Sequence, residues 1–136
     1  MIQVAVGILI NDGKVLLCQR KPTARYPFKW EFPGGKMEDD ETVEDCLRRE
    51  LFEELGITAE IGELFHRQHA VYPDSGSFDV CYYFIPSFVG VIVNKVFSTV
   101  EWVPLPKLFL FDILEGNREV IQKLLSTNGK EKPNTR

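Results

Sequence analysis

The chain has 136 residues, 44% of them hydrophobic and 26% charged, and carries a net charge of −4. That mix supports one packed core without covalent staples and excludes a disordered or collagen-like chain. The acidic balance argues against a general nucleic-acid-binding surface, and no apolar run approaches the ~20 residues needed to cross a bilayer.

The first residues, Met1-Ile2-Gln3-Val4, lack the basic stretch of a signal peptide, so a cytoplasmic protein is expected. Gln3 to Ile10 and Val15 to Cys18 are apolar and β-branched, and Asn11-Asp12-Gly13 between them is a hairpin-turn signal. Lys21 to Lys29 contains two prolines and reads as a loop. Trp30-Glu31-Phe32 is expected as a short strand ending at Pro33-Gly34-Gly35. Thr42 to Leu55 reads as a helix, with capping-box spacing from Thr42 to Asp45 and Gly56 placed for a left-handed stop. Ile57 to Gln68 and Phe78 to Phe88 are expected as two long strands, and Val96 to Val103 as another. A short helix is expected from Pro104 to Leu110 and a second from Asn117 to Leu125, with residues 126–136 as a flexible tail. Strands and helices do not alternate regularly, which favours one α+β domain over residues 1–125 with a mixed sheet and helices packed on it.

Cys18, Cys46 and Cys81 are odd in number and lack metal-ligand spacing, so buried, reduced thiols are expected. His66 and His69 read as structural. The informative charges lie between residues 35 and 57, where nine acidic residues surround three basic ones. At about 100° per residue, Glu50, Glu53 and Glu54 share one helix face, where like charges repel at i,i+3 and i,i+4 spacing. They also sit toward the helix C-terminus, where the dipole disfavours anions. The apolar stripe is Cys46, Leu47, Leu51 and Leu55, and Glu50 projects between Cys46 and Leu47 at its edge. A desolvated, unpaired carboxylate is costly there, and a divalent cation would relieve both problems. Clustered carboxylates are hard oxygen ligands suited to Mg²⁺ or Mn²⁺. Gly34 and Gly35 allow close approach of backbone to a ligand, and a glycine carbonyl is a further candidate donor.

Gly35, Glu41, Arg49, Glu50, Leu51, Glu53, Glu54, Gly56 and Ile57 fit the pattern G-x5-E-x7-R-E-U-x-E-E-x-G-U, U being a bulky aliphatic residue. This resembles the Nudix hydrolase family, and every fixed position matches. The resemblance implies a mixed sheet sandwiched between helices and Mg²⁺-dependent hydrolysis of a nucleotide phosphate chain. It implies metal ligands at Glu50, Glu53 and Glu54, a supporting role for Glu41, and an orienting role for Arg49.

Val4 to Ile8, Glu31-Phe32-Pro33-Gly34-Gly35-Lys36 and Glu101-Trp102 are similar to the MutT branch, which clears oxidised guanine nucleotides from the pool. That similarity implies that Arg20, Glu31, Phe32 and Asn117 meet the nucleotide, Asn117 reading the 8-oxopurine. Gly34 and Glu101 then join the metal set. Asn117 is equally a good N-cap, Arg20 a surface charge, and Glu101 an exposed strand residue. Tyr72 and Phe78 are candidates to stack on the base, with Phe78 also reading as core. A close rival is a CTP or 5-methyl-dCTP pyrophosphohydrolase of the same family, and a more distant one a non-catalytic nucleotide-sensing module. The expected partner is a nucleoside triphosphate, with no nucleic-acid polymer or membrane, bound by a monomer or homodimer. The segment Gly90 to Val96 is more apolar than this resemblance leads one to expect.

Overall fold

The computed structural model describes residues 1–127. Its strands are β1 (Ile2–Asn11), β2 (Lys14–Gln19), β3 (Trp30–Glu31), β4 (Gly34–Lys36), β5 (Thr58–Glu60), β6 (Leu64–Tyr72), β7 (Gly76–Ile85), β8 (Ser87–Val89) and β9 (Thr99–Pro104). Its α-helices are α1 (Val43–Leu55) and α2 (Arg118–Thr127), with 3₁₀ turns at Leu105–Leu110 and Glu115–Asn117.

β1 is the spine of a mixed sheet. It runs parallel to β7 from the pair Ile2–Phe78 to the pair Leu9–Ile85. Its other edge pairs antiparallel with β4 at Val4 to Val6 and then turns into β2. Asp12 and Gly13 take positive φ at that turn, 55° and 75°, as the Asp-Gly hairpin signal requires. β2 pairs antiparallel with β3 and β9, β6 closes the far edge beside β7, and β5 and β8 form a separate two-stranded ribbon.

Helices cover both faces of the sheet, so both alternating sets of β1 side chains are buried. Ala5 and Leu9 pack with Cys46, Leu47, Leu51 and Leu55 of α1. Val6 and Ile8 pack on the other side with Leu108, Val120, Ile121 and Leu124. The mixed sheet between helices expected from the sequence is what the chain forms. Its three cysteines are buried and free, and among the described residues no helix is long and apolar enough to cross a membrane.

Element boundaries differ in several places, including the strand expected from Val96, which starts at Thr99, and the helix expected from Pro104, which is a 3₁₀ turn. Ile57 to Gln68 is not one strand: the chain breaks between β5 and β6, where the Gly62 N–H donates to the Phe84 carbonyl at 2.8 Å. A Cβ on Gly62 would lie 2.7 Å from that oxygen and 2.9 Å from Pro86 Cδ, so only glycine passes there without displacing backbone. Phe78 to Phe88 breaks at Pro86, which has no N–H to continue a ladder. Gly34 and Gly35, expected to end the strand that starts at Trp30, instead open a separate strand with Lys36 that pairs with β1. The last helix begins at Arg118 and includes Ser126 and Thr127, which the sequence places in the tail; residues 128–136 lie outside the described residues.

Candidate active site

The acidic face of α1 is held against β4 by local chemistry. Thr42 Oγ1 accepts the Asp45 N–H at 3.1 Å and caps the first turn. The reciprocal half of the capping box is replaced by an Asp45–Arg48 ion pair at 2.8 Å. Gly56 ends the helix at φ 72° and returns its N–H to Phe52. Two more terminal carbonyls, of Glu54 and Leu55, accept from the Lys95 and Val93 N–H groups at 3.0 and 2.9 Å. The unusually apolar segment from Gly90 to Val96 therefore closes the end of this helix.

Two glycines let β4 pass close to its neighbours, Gly34 against β1 and Gly35 against α1. A Cβ on Gly34 would collide with the Ala5 carbonyl, and one on Gly35 would collide with the Glu50 carboxylate. Gly35 thus makes the space in which Glu50 lies, at the edge of the apolar stripe, with its side chain only 15% exposed. Burial raises the Glu50 carboxyl above its ordinary range, and Arg49 partly offsets this. Glu54, one turn on, is pushed up to about 9, first by burial and then by the neighbouring charges of Glu50 and Glu31. The Gly34 N–H donates to Glu54 Oε1 at 3.2 Å and opposes that rise without cancelling it.

Arg49 is the counter-charge of the cluster. Its Nε and Nη2 grip the two oxygens of Glu41 at 2.5 and 3.0 Å. Its Nη1 reaches Glu50 at 3.1 Å and Glu53 at 3.2 Å, and Nη2 also donates to the Lys36 carbonyl at 3.1 Å. Glu41 in turn accepts the Glu38 N–H at 2.9 Å, which ties the loop before α1 to the helix. The guanidinium beside Glu41 lowers that carboxyl to about 2, and the same carboxylate raises Arg49. Among the described residues no three acidic, histidine or cysteine side chains stand together as a ready-made metal cage. Glu50 and Glu54 are partly buried carboxyls whose charged forms are disfavoured by desolvation, so their oxygens are hard donors that a cation would stabilise, and they fit Mg²⁺ or Mn²⁺.

A cavity of about 590 Å³ opens beside these carboxylates, lined in part by Gly34, Gly35, Lys36 and Glu54. Val6, Phe32, Tyr72, Phe78, Tyr82 and Asn117 line the rest. Arg20 Nη1 lies 3.1 Å from both oxygens of Glu31, a pair set in the cavity wall rather than on open surface. Burial raises the Glu31 carboxyl, and Arg20 opposes the shift. Asn117 is buried; its Oδ1 accepts the Phe32 N–H at 2.9 Å and its Nδ2 donates to the Tyr82 hydroxyl at 3.2 Å.

Of the residues singled out in the sequence, Arg20, Glu31, Phe32, Gly34, Glu54, Tyr72 and Asn117 come together around this cavity. Phe78 also lines it, its ring edge-on to Tyr72 at 5.8 Å. Glu50, Glu53, Arg49 and Glu41 form the adjoining cluster. Glu101 is not brought in: it sits on β9 opposite Leu17, exposed and outside the cavity lining. His66 faces Tyr82 and lies 3.1 Å from Glu119, away from the carboxylate cluster. The sequence reading missed Tyr82 and the rim residues Arg25, Tyr26 and Asp74. Tyr26 hydrogen-bonds Asp74 through its hydroxyl, and Arg25 donates to the Asp74 carbonyl at 2.8 Å, so two distant loops meet at the cavity mouth. Positive φ at Tyr26 has no local sequence signal.

The chain matches the NUDIX domain over residues 1–124. It is similar to the 8-oxo-dGTP diphosphatase of Escherichia coli K12, 35% identical over 124 residues that cover 90% of this chain and 95% of the other. The CTP pyrophosphohydrolase of the same organism is 51% identical over 63 residues, 46% of this chain and 47% of its own. The solution structure of the E. coli ORF135 protein superposes with a TM-score of 0.86 at 27% identity, covering 98% of this chain and 94% of that one.

Proposed function

The chain belongs to the NUDIX family, and from that premise we propose that it is a Mg²⁺-dependent pyrophosphohydrolase of nucleoside triphosphates, acting on oxidised purines such as 8-oxo-dGTP. The observation that carries the reading is that Glu54, one of two adjoining desolvated carboxyls, lines the same cavity as Asn117. Phosphate binds at the first and base at the second.

Glu50 and Glu54 would hold the metal, with Glu53 at the outer edge and the Gly34 carbonyl beside them. Glu101 enters this set on family resemblance alone. Mn²⁺ would occupy the same oxygens. A cation held there would supply charge neutralisation to a phosphate chain and a lowered pKa to a water molecule. The protein's own part is positional. Arg49 and Glu41 fix the loop–helix geometry, and Gly35 keeps room for the Glu50 carboxylate. Phe32 and Tyr72 offer aromatic surface to a base, Arg20 and Glu31 polar groups beside it, and Asn117 a carboxamide for its edge. Products would be the nucleoside monophosphate and pyrophosphate.

A second reading, turnover of cytosine nucleotides, is favoured by the 51% identity to the CTP enzyme over 46% of the chain. Pyrophosphate release in Mg²⁺ over 8-oxo-dGTP, dGTP, CTP, 5-methyl-dCTP and a nucleotide sugar separates the two. We expect 8-oxo-dGTP to give the highest kcat/KM; a preference for CTP or 5-methyl-dCTP moves the assignment to the cytosine enzyme, and no turnover of any removes the enzymatic reading. Glu53→Gln is expected to abolish turnover with an unchanged circular dichroism spectrum, and retained activity would take Glu53 out of the site.

A further inference from the structure

Asn117 is not free to choose its orientation. The Phe32 N–H can only donate, so the group 2.9 Å from it must be the carboxamide oxygen. The NH₂ group then faces the Tyr82 hydroxyl at 3.2 Å. That hydroxyl accepts from Asn117, and its own proton goes to the Gly116 carbonyl at 3.1 Å. Gly116 O also receives the Gln68 Nε2–H at 2.8 Å, so both of its lone pairs are committed. Tyr82 itself is only 1% exposed, held by the core around it. Flipping the carboxamide would set N–H against N–H at Phe32 and would keep a bond at Tyr82 only if the hydroxyl proton left Gly116, and buried polar groups left unpaired are costly.

We infer that Tyr82 is a positioning residue for base selection: its hydroxyl, anchored on Gly116, locks the Asn117 carboxamide with the acceptor on the Phe32 side and the donor on the Tyr82 side. The inference rests on the purine reading given above. Its chemical sense lies in the base. The outer edge of guanine offers two acceptors, N7 and O6. Oxidation at C8 places a hydrogen on N7 and turns that edge into a donor beside an acceptor. A carboxamide of fixed polarity complements the oxidised edge and sets acceptor against acceptor on the ordinary one. A carboxamide free to rotate can turn its two N–H groups toward guanine and loses the distinction. No family motif covers Tyr82; its place on β7, facing Asn117 across 35 residues of chain, is visible only in the fold.

Tyr82→Phe keeps the ring and removes the hydroxyl. In the wild-type protein without nucleotide, the Asn117 side-chain ¹⁵N–¹H₂ resonances are expected to be resolved and slow to exchange with water, and in Tyr82→Phe to exchange fast. The ratio of kcat/KM for 8-oxo-dGTP over dGTP is expected to fall about tenfold, through a higher KM for the oxidised nucleotide, with kcat nearly unchanged. Asn117→Ala should lower the ratio at least as far, and the double variant no further, because Tyr82 acts through Asn117. If the wild-type enzyme shows no preference for the oxidised purine, the base assignment falls and this role falls with it. If it shows the preference and Tyr82→Phe keeps the ratio within about twofold, or the two substitutions add, the base assignment stands and the role of Tyr82 alone is overturned. Loss of the Tyr82→Phe fold would leave the exchange rate of the wild-type Asn117 amide as the test, and fast exchange there refutes the lock.

Discussion

Glu54 shows how a single side chain ties stability to acidity and metal. Its folded carboxyl titrates at about 9 against an ordinary value of 4.5. The folded, metal-free protein therefore keeps a proton that the unfolded chain gives up above about 4.5. Stability from this group is fully present below that value and is lost as pH rises toward 9. Glu41 works in the opposite sense, contributing above its ordinary range and losing its contribution as pH falls toward 2. Thermal melting in EDTA between pH 5.5 and 9 is thus expected to show a falling midpoint. Glu54→Gln should flatten it, and saturating Mg²⁺ should raise it more at pH 8.5 than at pH 6. A midpoint that does not fall in wild-type protein would remove Glu54 from its desolvated setting. The carboxylates were readable from sequence because helical spacing alone places them together. Tyr82 was not, because nothing near it in the chain distinguishes a hydroxyl that reaches Asn117 from one that merely fills the core.

At the scale of the element, α1 was legible nearly to the residue, since cap, apolar stripe and glycine stop are all local. Thr42→Ala should cost about 1 kcal/mol in urea unfolding through loss of the single cap bond to Asp45. It should leave kcat close to wild type, because the cap lies at the end of the helix away from Glu50, Glu53 and Glu54. A large fall in kcat would mean that the first turn also orients the carboxylates. The long strands were misread for a physical reason as well. Apolar residues continue on both sides of Gly62 and of Pro86, so the apolar pattern does not mark the stops, whereas the breaks come from two distant segments crossing at close range. Likewise the pairing of Gly34 to Lys36 with β1 depends on Gly34 passing the Ala5 carbonyl, a contact that no local pattern encodes.

At the scale of the molecule, the sandwich was predictable from one observation. β1 is apolar on both alternating sets of positions, so it must be covered on both faces, and α1 and α2 do so. What could not be read was where the sheet would place the two ends of the site. The carboxylate end joins residues 34–54, while the cavity takes its walls from Val4 to Asn117. The spine that connects them is a parallel pairing of β1 with β7, whose partners lie 76 residues apart in the chain.

That pairing has a consequence in time. Contacts between segments so far apart form slowly, because the intervening chain must close before they are rewarded. The helix with its carboxylates is local, and its first turns can form on the microsecond scale. The two halves of the site are thus expected to mature at different moments after dilution from urea. In stopped-flow refolding, a Mn²⁺ relaxation signal should rise before the fluorescence change of a bound nucleotide analogue. A single shared rate for both signals would show that the ion site waits for the whole sheet. On the expected order, a newly made chain passes through an interval in which it holds metal and has nowhere yet to put a base.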